Sequence, residues 1–499
     1  MNKFLKLLGF DAKEKQTSIK TEIIAGVVTF LAMAYILTVN PNQIFGDTSN
    51  KYWASTFIAT ALGAVIGTLL MAFFAKMPLA QASGMGLNSM VGGLIGGWAG
   101  YAAEFTPGQA FFLVLISGVL FMALSLIKIK GKTFRELVFD GMPLSVRTAI
   151  SVGIGLFIAY IGFQNAGVIV ANEFTQVALV DFTSWDACKT AIVALIGLFL
   201  IAILDKLNVK GSVIFGIIGA TLAGIPFGVT DLSVLKGEVP GISWKFWENY
   251  INFFNVKGDT VFGSFVDVFG EGGLIPEGIS IFSIIMIVIT MCMIDMFDTM
   301  GTIVGCCSGN RVLSDENDKP HNYGRIMIAD SVATCTGAML GTSTVTTFVE
   351  SGAGVSAGGR TGLTAFTTAC LFLLATFAMP LFAVIPGAAT ASALIYVGVL
   401  MMKHNVKNVN FDNAINATSA FLTISVMVLS YSITKGIGVG MISFTLMSAV
   451  SYGTDWIKYA LTKDKKNDGE PVKKPTWNVS VVAIIVTALF LVYFFVPTA

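Results

Sequence analysis

The sequence is poor in charge and in histidine. Only 12% of its 499 residues are charged, against about 25% in an average soluble protein, so the chain lacks the polar side chains that would cover a globule in water. Its two histidines, His321 and His404, lie in predicted loops. No His-Glu-x-x-His pair, Ser–His pair within an apolar segment or phosphate-binding glycine loop is present. These absences argue against an enzyme, a metal site and a cofactor.

The sequence also lacks an excess of charge of either sign. A net charge of +1 gives no indication of nucleic acid or of a polyanionic partner. The six cysteines show no metal-binding or redox spacing. We interpret them as small apolar packing residues.

Long apolar runs, in contrast, recur along the whole chain and make up most of its 55% hydrophobic residues. A run of ~18 residues or more crosses a bilayer as a helix, and only helices or closed barrels satisfy their backbone polar groups in lipid. The runs are continuous rather than alternating, which predicts helices and an all-α polytopic membrane protein. The candidate spans are residues 22–40, 53–75, 79–97, 108–127, 144–163, 187–204, 211–228, 279–302, 325–340, 343–358, 363–382, 386–402, 412–432, 436–457 and 477–496.

The distribution of basic residues predicts the orientation. If residues 1–21 lie in the cytoplasm and the chain alternates through all fifteen spans, most of its 31 Lys and Arg face the cytoplasm, as the positive-inside rule requires. The few on the outside are Lys51, Lys189, Lys236, Lys245, Lys257 and Lys435. We therefore expect a multi-pass protein of the cell (cytoplasmic) membrane, with its N-terminus in the cytoplasm.

The longest predicted loop, residues 229–277, is expected outside the cell and divides the chain into two halves. Residues 22–228 and 278–457 would each contain seven spans. Because seven is odd, duplicated halves would have inverted orientations, as in many secondary transporters. Residues 458–499 would then form a basic cytoplasmic loop and an additional C-terminal helix.

The third segment of each half interrupts the apolar pattern. The segments Pro78–Gly93 and Leu340–Gly359 are short and rich in glycine, serine and threonine. Small residues alone would permit close helix packing, but matched interruptions indicate a binding site near the bilayer midplane. Extended stretches at Leu79–Ser83 and Thr344–Phe348 would each lead into a half-helix whose N–H groups point at a solute.

Carboxylates lie within these apolar segments without basic residues at comparable depth. Asp295 and Asp298 share one face of the eighth span, and Glu350 lies in the second interrupted segment. Such groups hold a proton, bind a cation or accept a hydrogen bond from a polar solute. The alternative is a structural role, in which a protonated carboxyl group joins helices. For Asp330, near the start of the ninth span, the structural role is preferred.

The predicted cavity favours a neutral solute. Carboxylates with the amide of Asn88 and no basic residue disfavour an anion and suit a planar heterocycle with ring N–H donors. Packing is the alternative role of Asn88. A proton-coupled cycle fits a desolvated carboxylate.

Three motifs in the chain resemble those of the AzgA-like purine permeases, a branch of the nucleobase–ascorbate transporter superfamily. They are QASGMGLNSMVGG (81–93), DMFDTMGTIVG (295–305) and GTSTVTTFVESGAGVSAGGRTGLTA (341–365). The segment Glu22–Pro41 is similar too, and the resemblance covers about residues 20–400. The last hundred residues match only in hydropathy.

The resemblance implies two inverted seven-span repeats, divided into a core of the first four spans of each repeat and a gate of the remainder. It implies proton symport of hypoxanthine or guanine, with adenine next, and permits a homodimer that nothing in the sequence itself indicates. Asp298 and Glu350 would bind the purine and couple the proton. The further substrate-binding positions implied are Asn88, Asp295, Gly84, Gly86 and Thr347.

The sequence departs from the family pattern at Ser89, where relatives commonly have alanine, and at Met300, where they commonly have threonine. Met300 would change the pocket shape and the choice among purines. The main alternative keeps the fold and changes the substrate to an anion or to another nucleobase such as uracil or xanthine. An anion carrier would need a basic residue where Glu350 lies. Matched interrupted segments argue against a channel.

Overall fold

The protein, described here from a computed structural model, is a helical membrane protein. The structure describes residues 3–10, 17–97, 104–129, 132–133, 141–172, 174–209, 211–236, 242–256, 259–270, 273–276, 278–307, 312–314, 320–409, 411–462, 474–477 and 479–495. The predicted all-α polytopic class is confirmed. Over these ranges, eight helices are long and apolar enough to cross a membrane, and five further apolar helices are shorter.

Helices of the first half run from the N-terminus through the long predicted loop. They are α1 (Lys3–Leu7), α2 (Ile19–Met33), α3 (Ile36–Phe45), α4 (Trp53–Leu70, continued by a π-turn over Met71–Ala75), α5 (Met85–Ile95), α6 (Pro107–Leu126), α7 (Leu144–Asn165), α8 (Trp185–Lys206), α9 (Ser212–Gly224), α10 (Phe246–Phe253) and α11 (Val261–Asp267).

Helices of the second half begin with the carboxylate-bearing eighth span. They are α12 (Ile281–Cys307), α13 (Tyr323–Leu340), α14 (Ser351–Ser356), α15 (Gly362–Ala375), α16 (Met379–Ala383), α17 (Gly387–Asn405), α18 (Ala414–Leu429), α19 (Ile433–Thr462) and α20 (Val481–Phe495). Short 3-10 turns cover Ser233–Lys236, Thr376–Ala378 and Val406–Asn408.

In the described part of the chain, the strands form three antiparallel pairs. Strand β1 (Gln81–Ser83) pairs with β6 (Val345–Thr347), whereas β2 (Lys128–Ile129) with β3 (Lys132–Thr133) and β4 (Ile169–Asn172) with β5 (Gln176–Leu179) are local hairpins. The pair β1–β6 joins the two interrupted segments. It is one of the places where the two halves of the chain meet.

Two features differ from the sequence prediction. The first predicted span, 22–40, lies in one membrane-span segment, Ile19–Phe45, but a turn divides this segment, because α2 ends at Met33 and α3 begins at Ile36. The predicted loop 229–277 contains α10 and α11, and α11 is held by a hydrogen bond from Val261 N to Ser55 Oγ at 3.1 Å. A continuous apolar run does not reveal the division of the first span, and the short helices lie in a segment of mixed polarity.

Corresponding threonines support the two interrupted segments. Thr68 of α4 donates its Oγ1–H to the carbonyl of Gln81 at 3.1 Å, and Thr334 of α13 donates to the carbonyl of Val345 at 3.1 Å. Each threonine lies in the second span of its half and binds the first residue of the strand that follows. This equivalence supports the repeat at the level of single contacts, which sequence identity does not show.

The chain divides into two compact units. The first contains residues 1–127 and 158–397, and the second contains residues 128–157 and 398–497. All eight spans that the resemblance assigns to the core lie in the first unit, together with α8 and α9. Every predicted site residue belongs to this unit.

In the second unit, the appended helix α20 packs against α19. Thr445 and Thr487 join the two helices through their hydroxyl groups at 2.8 Å. A Cβ atom at Gly438 would lie 2.8 Å from ring atoms of Phe490 and Phe494, so glycine permits the close approach. The fifteenth predicted span is therefore an integral part of this unit.

Candidate functional site

The two interrupted segments cross in a short, buried antiparallel pair. Gln81 lies opposite Thr347 and Ser83 opposite Val345. Backbone bonds extend the pair at both ends, from Gly84 N to the Thr344 carbonyl at 2.8 Å. At the other end, Phe348 N donates to the Ala80 carbonyl at 3.0 Å. The extended stretches predicted at Leu79–Ser83 and Thr344–Phe348 are confirmed.

Each strand leads into a helix, as predicted, but the helices differ in length. Helix α5 has 11 residues and begins directly after Gly84, whereas α14 has six. The first N–H groups of a helix have no carbonyl partner within it, so Gly86, in the first turn of α5, can present its N–H as a donor, whereas Gly84, the residue before α5, already donates its N–H to the Thr344 carbonyl. A Cβ at Gly84 would lie 2.8 Å from Thr346 Cγ2. Glycine is therefore required for α5 to start this close to β6.

Asp298 lies on α12, the helix that packs against α5, β6 and α14. Its side chain is partly exposed, and among the described residues its carboxylate makes no hydrogen bond. The carboxylates of Asp330 and Glu350 are close enough to interact with it electrostatically. The described ion pairs, Lys51–Asp259, Lys189–Asp186 and Lys245–Glu248, all involve exposed side chains elsewhere. Asp298 is thus a carboxylate available to a ligand.

Glu350 immediately precedes α14 and is 7% exposed. Its Oε1 accepts a hydrogen bond of 2.5 Å from Tyr35 Oη. Its Oε2 is buried and has no hydrogen-bond partner among the described residues. A buried carboxylate oxygen without a donor is costly, and a solute N–H or a proton would satisfy it.

Tyr35 is the site residue that sequence reasoning missed. It lies in the turn that separates α2 from α3 and is 1% exposed. Within an apolar run it is indistinguishable from a packing aromatic residue. The interruption of the helix, which would have drawn attention to it, has no glycine or proline at that point to mark it.

The amide of Asn88 is used within the protein. Its Oδ1 accepts from Ser343 Oγ, and its Nδ2 donates to Gln43 Oε1 at 3.1 Å. Asn88 thereby joins α5 to α3 and to the segment before β6. No described contact links it directly to Asp298 or Glu350.

Asp330 is the centre of a buried hydrogen-bond network. Its Oδ1 accepts from Gln81 Nε2 at 2.8 Å and from Thr347 Oγ1 at 3.2 Å. Its Oδ2 accepts from Thr299 Oγ1 at 2.7 Å. The side chain of Thr347, a predicted substrate ligand, thus contacts this network. The network ties α12 and α13 to both strands.

Asp295 also contacts the supporting structure. It is completely buried, and its Oδ2 accepts from Thr334 Oγ1 at 3.0 Å. The same threonine supports β6 through the Val345 carbonyl. The structure thus brings Asp298 and Glu350 together with Tyr35, while Asp295, Thr347 and Asn88 face the framework that holds them.

Comparisons with known proteins agree with this architecture. A sequence profile of the Permease family (Xan_ur_permease) matches residues 20–439. The chain is 36% identical over 442 residues to the adenine permease AdeP of Escherichia coli, covering 88% of this chain and 89% of that protein. It is also 36% identical over 447 residues to the guanine/hypoxanthine permease PbuO of Bacillus subtilis, covering 88% and 94%.

A solved structure shows the same fold at low sequence identity. The transmembrane domain of a cyanobacterium bicarbonate transporter, BicA, superposes with a TM-score of 0.56 at 15% identity and covers 82% of this chain and 96% of that one. Its inverted-repeat fold is the fold predicted here. The relatives are named as permeases rather than enzymes. The chain therefore belongs to the Permease family, among relatives named as adenine and guanine/hypoxanthine permeases.

Proposed function

We propose that this protein imports a purine nucleobase by proton symport across the cytoplasmic membrane, with its N-terminus in the cytoplasm. Hypoxanthine and guanine are the first candidate substrates and adenine is the next. The observation that carries the proposal is a pair of carboxylates, Asp298 and Glu350, beside the crossing of β1 and β6. Neither makes an ion pair with a described residue, and the relatives' names supply the substrate class.

The chemistry of the pair suits a purine and a proton. Purine rings carry N–H donors, and carboxylate oxygens accept them in charge-assisted hydrogen bonds. Asp298 makes no hydrogen bond with a described residue, and the buried Glu350 Oε2 has no hydrogen-bond partner among them. Two carboxylates in one water-poor region repel each other, so uptake of a proton by one of them stabilises the loaded site. Binding of the proton would thus favour binding of the purine, and binding of the purine would favour binding of the proton.

In this mechanism Asp298 and Glu350 bind the base directly. Tyr35 positions Glu350 by occupying Oε1, which leaves Oε2 for the ligand. Gly84 and Gly86 lie at the start of α5, close to β6. Asn88 and Asp295 hold the surrounding helices through their hydrogen bonds. Thr347 contributes through Asp330.

The alternative anion carrier is disfavoured by charge. An anion would meet two acidic side chains, Asp298 and Glu350, neither of which has a cationic partner among the described residues. Uracil or xanthine, in contrast, carries similar ring N–H donors. Competition by uracil, a pyrimidine, and by xanthine, a more oxidised purine, in the uptake assay separates these two substrates from hypoxanthine, guanine and adenine.

Uptake of labelled hypoxanthine, guanine and adenine in a bacterial strain without its own purine permeases tests the proposal. Asp298→Asn and Glu350→Gln should each lower uptake efficiency about 10- to 100-fold, because a hydrogen bond to a charged group contributes about 1.5–3 kcal/mol. Asp186→Asn, which changes an exposed carboxylate, is the matched control. Wild-type kinetics in both site variants at equal membrane insertion would exclude the assigned site.

A further inference from the structure

Helix α10, within the long segment between the two halves, has an exposed apolar face. Trp247 and Ile251 of α10 and Phe254, directly after its end, follow one another at helical spacing and share one side; the Phe254 N–H still donates to the Tyr250 carbonyl. They are 51%, 67% and 50% exposed. Three large apolar side chains on one face of so short a helix need a partner.

Of the other two faces of α10, one packs on the protein and the other is polar. The inner face packs on the protein: Phe253 is 1% exposed, the rings of Phe246 and Phe377 lie 4.5 Å apart, and Tyr250 Oη donates to Thr376 Oγ1 at 3.0 Å. The third face is polar.

That polar face carries Glu248 and Asn252. Glu248 Oε1 lies 3.1 Å from Lys245 Nζ, and both side chains are substantially exposed. The helix thus separates a protein-facing, a polar and an exposed apolar side. This three-way division suits a position at a boundary between water and an apolar phase.

The apolar face adjoins a surface of the same kind. Phe377, which contacts α10, is 43% exposed, and Leu374 and Leu381 are 60% and 55% exposed. All three belong to the segment Gly362–Ala383, which is long and apolar enough to span the membrane. The exposed side of such a segment faces lipid. The ring of Phe246, which contacts Phe377, lies 5.3 Å from the ring of Trp247, so the face of α10 continues that lipid-facing surface.

We propose that α10 lies in the membrane interface, with Trp247, Ile251 and Phe254 inserted at the boundary of the acyl chains. Tryptophan is enriched at this depth because its ring is apolar and its N–H is polar. Lipid is a better occupant than a second copy of the chain, because this face continues the exposed side of a segment long and apolar enough to span the membrane. The helix anchors the end of α15 and the turn at Thr376.

Nitroxide labels on adjacent faces of α10 test this inference in the full-length protein in liposomes. Ile251→Cys and Asn252→Cys are introduced separately into a Cys370→Ser background, because Cys370 is the exposed cysteine among the described residues. The background without a new cysteine gives the signal of the native thiols. Collision rates with oxygen, which concentrates in lipid, are compared with those of a water-soluble nickel chelate.

The label at position 251 should collide several-fold more with oxygen than with the nickel chelate, and the label at 252 should show the reverse order. If both labels favour the nickel chelate, α10 lies in water and the inference is wrong. If the label at 251 is shielded from both reagents and its spectrum shows dipolar broadening, a second copy covers the face, which also overturns the inference. Nucleobase uptake is not needed for either readout.

Discussion

Tyr35 and Glu350 lie 315 positions apart in the chain and share a hydrogen bond of 2.5 Å between Tyr35 Oη and Glu350 Oε1. The bond connects the turn between α2 and α3 with the residue that precedes α14. Both are points where a membrane segment departs from a continuous helix. A carboxylate predicted from the sequence is therefore oriented by a residue that the sequence did not single out.

Removal of the tyrosine hydroxyl should weaken transport without unfolding the protein. Tyr35→Phe keeps the buried ring but leaves Glu350 Oε1 without its donor, and a hydrogen bond to a charged group contributes about 1.5–3 kcal/mol. We expect uptake efficiency to fall about 10- to 100-fold, mainly through a higher KM for the base.

Tyr250→Phe is the matched control, since Tyr250 also loses a phenol hydrogen bond, to Thr376 Oγ1, but lies on α10. Uptake kinetics of both variants, measured at equal membrane abundance, show whether the Tyr35 hydroxyl contributes to transport. Equal kinetics for Tyr35→Phe and wild type would remove Tyr35 from the site.

The Asp330 network should respond to loss of a single donor. Thr299→Val removes the hydroxyl that donates to Asp330 Oδ2 at 2.7 Å, whereas Thr299→Ser keeps it. We expect the valine variant to lose about 1.5–3 kcal/mol of stability and to melt at a lower temperature in detergent. The serine variant should melt close to wild type. Identical melting of the two variants would show that the hydroxyl contributes nothing.

Gly84 should tolerate no side chain, for steric reasons alone. Its φ of −70° and ψ of 120° suit any residue, but an added Cβ would lie 2.8 Å from Thr346 Cγ2. Gly84→Ala should separate α5 from β6, at a cost of about 1–3 kcal/mol for overpacking, and lower uptake at least tenfold.

Gly324→Ala is the control for Gly84→Ala, because no heavy atom of the other described residues lies within 4 Å of its added Cβ. Uptake by Gly324→Ala should equal that of wild type. Full uptake by Gly84→Ala would contradict the close crossing of the two interrupted segments.

Glu22 joins the first span to the start of α15. This fully buried carboxylate accepts from Arg360 N at 2.9 Å and from Thr364 Oγ1 at 2.6 Å. Glu22→Gln replaces an acceptor with a donor, so we expect a loss of about 1.5–3 kcal/mol and a lower melting temperature. Glu248→Gln, on an exposed carboxylate, should melt like wild type. If Glu22→Gln and Glu248→Gln melt at the same temperature, the hydrogen bonds of Glu22 do not contribute to stability as predicted.

The hydropathy pattern predicted most of the fold. The eight long and five shorter apolar helices overlap thirteen of the fifteen predicted spans, and α13 and the segment β6–α14 account for the other two. Matched interruptions at Pro78–Gly93 and Leu340–Gly359 placed the crossing, because runs of glycine, serine and threonine are rare in lipid-facing helices. The carboxylates of Asp298 and Glu350, which lie in apolar segments without basic residues at comparable depth, predicted a site at this crossing.

Contacts distant in sequence could not be predicted in the same way. Nothing in an apolar run distinguishes Tyr35 from a packing residue, and Glu22, at the start of the first span, reads as an ordinary interfacial charge. The roles of Thr347 and Asn88 depend on which side of a strand or helix faces Asp330 or Ser343. That requires the register of β1 against β6, which hydropathy does not contain.

Accumulation of labelled hypoxanthine, guanine or adenine by purified protein in liposomes tests the central claim most directly. With an imposed proton gradient, acidic on the side of entry, wild-type protein should concentrate at least one base above equilibrium. A protonophore, or Asp298→Asn together with Glu350→Gln, should abolish that accumulation. If none of the three bases accumulates, or accumulation persists without the gradient, proton-coupled purine transport at this carboxylate pair is contradicted.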